Sequence, residues 1–205
     1  IQHHKIDNFI GSINFESCEF RAVNILQSAF SGNFKKCDFS GLLEDVTFTG
    51  NLTACTFNRI RGVRLSFISS SLTKCHFYSC KLSFLTTSKN SRMTGGSLNG
   101  TVEGFSLEGS FDAVDFSDSK WHGKGAATKF VISANKCTFD KDIFQNAVDL
   151  SRFNSCSFKK STFKKSDKRC HFRSCDLSES DFKDCDIKSM TTFLDSVLYK
   201  VNFHN

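Results

Sequence analysis

The stretch CHFRSCDLSESDFKDCDI, residues 170–187, decides the reading of this chain. Its large apolar residues fall every five positions, at Phe172, Leu177, Phe182 and Ile187. Two places before each stands a small residue: Cys170, Cys175, Ser180 and Cys185. Residues i and i−2 of an extended backbone share a face. Each five-residue unit therefore turns one small and one large side chain inward, and its Arg, Asp, Glu and Lys outward.

Working outward from this stretch, the same frame runs through the chain. All ten cysteines sit two residues before a large apolar one, as in Cys18/Phe20, Cys37/Phe39, Cys55/Phe57, Cys75/Phe77, Cys80/Leu82, Cys137/Phe139 and Cys156/Phe158. Other small residues fill the same place in Ile13/Phe15, Val23/Ile25, Val46/Phe48, Val114/Phe116, Ser161/Phe163 and Val201/Phe203. A longer period is laid over the short one. Phe20, Phe39, Phe57, Phe77, Leu98, Phe116, Phe139, Phe158, Leu177 and Leu198 mark nine steps over 198 − 20 = 178 residues, a mean of 19.8. Four five-residue faces make one coil of twenty. The expectation is an all-β, four-sided parallel β-helix of about ten coils, at roughly 4.8 Å each a rod on the order of 48 Å tall. A fixed period of this size marks a solenoid whose coils touch only their neighbours. Steps of 18 and 19 imply that some faces are shortened.

Composition agrees. Of 205 residues, 24 are Phe and none is Pro, which suits unbroken backbone pairing because Pro cannot donate to a ladder. With 39% hydrophobic residues a sizeable core is available and wholesale disorder is excluded. No apolar run has the length of a membrane-spanning helix. The chain opens IQHHKIDNFI, without an initiator Met or a signal-peptide pattern, and its repeat runs to the last residues with no polar cap. The expectation is that residues 1–205 are one β-helical domain of a longer chain, or that an end stacks on a second domain or a second copy.

The units SCEFR, KCDFS, ACTFN, KCHFY, SCDLS, ESDFK and DCDIK resemble the pentapeptide-repeat family, over most of residues 9–203. The resemblance implies a right-handed quadrilateral β-helix with the central Phe/Leu and the preceding small residue stacked inside. The chain departs from the family's commonest Ala-Asp/Asn-Leu form in preferring Cys and Phe. Two stretches lose the phase, SFLTTSKNSRMTGGS at 83–97 and KWHGKGAATKFVISANK at 120–136. They are expected to be loops extruded from the tower.

Stacked inward small residues account for all ten cysteines by one rule, since free Cys packs as a small hydrophobe. Disulfides are the other reading of an even count. A thiol column favours a reducing compartment. Cys75-His76 with Cys80, and Cys170-His171 with Cys175, look like zinc ligands, but each His directly follows an inward Cys and so points outward. No metal or other cofactor is expected.

Net charge is +6, unevenly spread. Residues 152–173 hold eight cations and one acid, Asp167, for +7, which leaves 6 − 7 = −1 for the rest. Candidate partner-binding residues are Lys159, Lys160, Lys164, Lys165, Lys168 and Arg169 of this band, and Trp121, His122 and Lys124 of the WHGKG stretch. Each has a structural alternative: Trp121 lies five after Phe116 and fits the core, and the band can be a solvated girdle. Asp176, Glu179, Asp181, Asp184 and Asp186 follow one coil on and are placed to neutralise it through cross-coil pairs.

No nucleophile elbow, phosphate loop or metalloprotease motif is present, so no catalytic residue is named. The preferred function is protein–protein interaction. β-Helices rich in Phe, Cys, Ser, Asn and Lys look like those of effectors that enterobacterial pathogens inject into host cells, some preceding a HECT-like E3 ubiquitin ligase region. That likeness implies recognition of a host or bacterial protein in the host cytoplasm. Electrostatic docking on a membrane or nucleic acid through the basic band is one alternative, with nucleic acid disfavoured. DNA mimicry that protects a topoisomerase is another, opposed by the positive charge.

Overall fold

Why this sequence coils can be followed residue by residue in the computed structural model, which describes residues 4–123, 128–145, 151–164, 170–182 and 191–203. Every strand pairing is parallel, all described strands join one sheet, and none of the described residues is helical. The ladder read from the sequence is the ladder that forms. Phe20, Phe39, Phe57, Phe77 and Leu98 are successive register partners. Bridges Ser97–Asp115, Asp115–Thr138, Thr138–Ser157, Ser157–Asp176 and Asp176–Val197 carry the stack on through Phe116, Phe139, Phe158 and Leu177 to Leu198. Three further ladders complete the four sides. One runs Phe15, Phe34, Leu52, Leu72, Met93, and another Ile25, Leu43, Gly62, Leu82, Val102, Trp121, Phe144, Phe163. The last runs Gly11, Phe30, Phe48, Phe67.

The rings fill the tower. Phe57 stacks on Phe39 at 4.8 Å and on Phe77 at 4.4 Å, with interplanar angles of 10° and 3°. It meets Phe48 and Phe67 edge-on at 6.1 and 5.9 Å, so it stacks along its own ladder and abuts the next ladder in a T. Both geometries are favoured by the ring quadrupole.

The corners follow a rule the sequence does not announce. Among the described residues twenty-three non-glycines have positive φ, from Asn8 through Arg59 and Phe84 to Lys200, and each stands three places before an inward-facing ladder position. Where the step between ladder positions is four instead of five, the corner is turned by glycine two places before the next one: Gly32 before Phe34, Gly41 before Leu43, Gly50 before Leu52, Gly100 before Val102, Gly109 before Phe111. Gly50 shows why. Its φ is +121°, and a Cβ there would lie 2.3 Å from the Gly32 carbonyl oxygen of the coil below. This is the physical form of the shortened faces.

It also corrects the expected loop at 83–97. The strands Ser71–Thr87 and Arg92–Asp112 run through it, and only 88–91 leaves the sheet. Gly95 and Gly96 lie within the strand, Gly96 opposite Cys75. Of the second expected loop, the strands Lys120–His122 and Lys129–Asn135 are again sheet. The step from Trp121 to Phe130 spans nine residues where five is the rule, and residues 124–127 within it lie outside the described residues.

Candidate interaction surfaces

The inward small position builds a thiol column. Cys18, Cys37, Cys55 and Cys75 stack in four successive coils, Gly96 and Val114 interrupt, and Cys137, Cys156 and Cys175 resume. All nine described cysteines are free, and all but Cys18 are buried. Above Cys18, whose thiol donates to Glu16 O of its own unit, each stacked thiol points at a carbonyl of the coil below, Cys55 donating to Phe34 O and Cys75 to Leu52 O at 3.3 Å. Burial pushes the Cys37 and Cys80 thiols up to about 11. The hydrogen bond with Cys75, and burial, push Cys55 up as well. These thiols are core atoms, not nucleophiles.

Cys75 and Cys80 belong to different columns, while His76 and His171 face outward. The His76 ring stacks on Tyr78 at 5.4 Å and its Nδ1 lies 3.1 Å from Ser97 Oγ; His171 Nδ1 lies 2.9 Å from Thr192 Oγ1. Nothing in this arrangement converges the ligand-like residues on one point.

Trp121 is a core residue, 0% exposed. It follows Val102 on its ladder, lies parallel to the Phe144 ring at 6.4 Å, and meets Phe105 edge-on at 5.5 Å. A side chain so placed offers nothing to a partner, which removes it from the candidate set. Its indole N–H reveals a residue the sequence reading passed over. Asp142 is fully buried at an inward small position, two before Phe144. Its Oδ2 accepts from Trp121 Nε1 at 3.2 Å and its Oδ1 from the Ser119 amide at 2.8 Å. Burial holds its carboxyl well above the usual carboxylate range, with Asp115 and Asp118 adding repulsion. The signal was present in the sequence: Asp stands where the frame asks for Cys, Ser or Val.

Of the remaining candidates, His122 is half-buried and its Nδ1 lies 3.1 Å from Gln145 Oε1 one coil on. Lys159 and Lys160 are exposed and paired, with Asp176 at 3.2 Å and Glu179 at 3.7 Å. These are the cross-coil pairs expected from the sequence. Lys164 ends the strand Thr162–Lys164. Lys124, Lys165, Lys168 and Arg169 lie outside the described residues, as do Asp184 and Asp186. Two other cations of the band, Arg152 and Arg173, line an open groove of about 610 Å³ with His171, Asn135 and Asn154. Of the five described candidates, His122 and Lys164 share one column through Gln145, Lys159 and Lys160 stand on another ladder and Trp121 is in the core, so these five do not form one site.

No protein-family model matches the sequence, and no curated protein matches it. Solved structures do match in fold. HetL, a pentapeptide repeat protein involved in heterocyst differentiation regulation from the cyanobacterium Nostoc sp. strain PCC 7120, superposes with a TM-score of 0.59 at 12% identity. That match covers 98% of this chain and 87% of HetL. A trypsin-treated QnrB1, a plasmid-mediated fluoroquinolone resistance protein, is aligned over 95% of this chain and 90% of that one at 14% identity. Its TM-score of 0.33 carries no argument. At these identities the likeness is one of fold: this chain is built as a pentapeptide-repeat β-helix.

Proposed function

We propose that this pentapeptide-repeat β-helix is a non-catalytic interaction module, a stiff rod that presents face and corner side chains to a partner protein. The observation that carries the reading is the interior. Rings, aliphatic side chains and thiols fill the described coils but for an apolar gap of about 20 Å³ among Phe67, Phe77, Met93 and Leu107, so among the described residues there is no enclosed chamber in which acid, base and substrate could meet. The polar chemistry is on the outside, set at regular height by the coil. Rigid scaffolds of this kind bind by surface complementarity.

In its finer form, the rod is the recognition domain of a bacterial effector that acts in a reducing host cytoplasm beside a HECT-like ubiquitin ligase region. The ligase cysteine then lies outside these residues. What supports this is the resemblance in composition and the packing of the thiols as core atoms, which needs no oxidising compartment. Docking on nucleic acid or anionic lipid has less support, since Lys159 and Lys160 are already paired. A DNA mimic needs a strongly negative surface, and this chain carries +6.

The test is capture from host-cell lysate on the immobilised protein at low and high salt, with mass spectrometry of what is retained. A discrete protein held at high salt supports the reading. Retention of nucleic acid or lipid alone, lost as salt rises, contradicts it.

A further inference from the structure

We infer that the groove over Arg59, Arg61 and Lys81 is a docking site for a short acidic segment of a partner protein; the inference deepens the interaction-module reading and rests on it. The groove is open, about 800 Å³, and spans three coils. Register builds it. Arg61, Lys81 and Thr101 stand above one another in one outward column, and Val63, Ser83 and Glu103 in the next. Successive members of a column are about 4.8 Å apart. Arg59 adds a third cation at the corner, where a left-handed backbone with φ of 53° turns its side chain out beside the same face.

These cations are free. Among the described residues, Arg64 binds Glu44 and Asp45, Lys35 binds Glu16 and Arg21 binds Glu19, whereas Arg59, Arg61 and Lys81 make no ion pair and no side-chain hydrogen bond. All three are exposed. Three uncompensated cations on one concave surface raise the local positive potential and attract carboxylates, which Arg binds through a planar fork. Ser83 and Thr101 supply hydroxyls between them, and Val63 an apolar contact. Outside the groove lining, on the Phe77 ladder, Tyr78 is 43% exposed, its ring braced on His76 and its carbonyl accepting the Arg59 amide at 2.8 Å.

Charge also selects the occupant. Glu103 closes one end of the second column, while Glu44, opposite Val63 at the other end, is held by Arg64. A continuous polyanion would run its phosphates past the Glu103 carboxylate. Three cations also fall short of the roughly 6–10 phosphate contacts of a nucleic-acid binder. A peptide can put carboxylates over the Arg61 column and a neutral residue toward Glu103.

The experiment is fluorescence anisotropy at low ionic strength with three labelled probes: a short alternating Glu/Gly peptide, its Gln/Gly counterpart, and an oligothymidylate of similar length. The expected result is that the acidic peptide binds, its neutral counterpart does not, and the oligothymidylate binds more weakly. The double variant Arg61→Gln with Lys81→Gln weakens peptide binding about tenfold or more, while Lys159→Gln with Lys160→Gln leaves it unchanged. An unchanged urea midpoint shows that the double variant is folded. The inference is overturned if the native protein ignores the acidic peptide, if the double variant binds it equally well, or if the oligothymidylate binds as tightly. Lysate capture separates this failure from that of the broader reading. A double variant that still retains the native protein's partner refutes the groove alone, whereas a native protein that retains no protein refutes the module.

Discussion

Replacing Phe57 by Ala tests the packing logic where it is most concentrated. Phe57 is 0% exposed and touches four rings, two stacked at 4.4 and 4.8 Å and two edge-on at 5.9 and 6.1 Å. Truncating a buried Phe to Ala costs about 3–5 kcal/mol. Four aromatic contacts, each worth about 0.5–1.5 kcal/mol beyond area, put this site at the upper end of that range. A protein of ordinary stability has about 5–15 kcal/mol in all, so the variant should be close to unfolding. With a urea slope near 2 kcal/mol/M, a loss of about 4 kcal/mol moves the midpoint down by about 2 M. Phe57→Leu keeps an apolar side chain at a ladder position, as at Leu98 and Leu177, and should cost less than Phe57→Ala, about 2 kcal/mol, mostly from the lost ring contacts. The comparison is Phe84→Asn. Phe84 is 48% exposed at a corner with φ of 59°, a conformation Asn tolerates better, so stability should change by no more than about 0.5 kcal/mol. Urea denaturation followed by circular dichroism reads all three. Equal midpoint shifts for Phe57→Ala and Phe84→Asn would refute the assignment of inward and corner positions.

Further outcomes follow from the same geometry. Asp142→Asn should change how stability depends on pH. With its folded pKa raised, the native carboxyl contributes stability that is full below about pH 4, its unfolded value, and lost as pH rises through the folded pKa. The variant should lack that decline, and parallel urea-midpoint curves for native and variant from acid to neutral pH would contradict this. Gly50→Ala should cost about 3 kcal/mol or more, because it forces a Cβ to within 2.3 Å of the Gly32 carbonyl at φ of +121°; a thermal midpoint within a degree or two of native would count against the glycine corner. Among the described thiols, half-buried Cys18 should be alkylated first and Cys37 and Cys80 only on unfolding, as timed mass spectrometry with iodoacetamide can show. Lys159→Ala, which breaks an exposed pair, should lower stability by less than about 1 kcal/mol.

Much of the fold was legible because the solenoid repeats one decision. Once Phe172, Leu177 and Phe182 set the phase, the nine-step ladder from Phe20 to Leu198 followed. Residues 83–97 misled because glycine has two meanings. It breaks regular strands in most proteins, but here Gly96 and Gly100 lie in the ladder where the coil below approaches too closely for a Cβ. Trp121 could be placed by counting from Phe116, whereas Asp142 could be found only by asking what fills each inward small position. The surface was less legible. A charge scan along the chain finds 152–173, where the cations are neighbours in sequence. It misses Arg61 and Lys81, twenty residues apart, whose adjacency exists only once the coil length is known. The composition likeness that pointed to an effector says nothing about which face is used.

The central claim is that residues distant in sequence are stacked in register on one rod. Spin labels at Asn58 and Lys159 test it directly. The two stand in one outward column, five coil steps apart through Tyr78, Asn99, Ser117 and Asp140. At about 4.8 Å per step their backbones are about 24 Å apart, although 101 residues separate them in sequence. Pulsed dipolar spectroscopy should give one narrow distribution near that distance, broadened only by the label arms. A broad distribution, or one centred well beyond it, would contradict the stacked β-helix and the surfaces built on it.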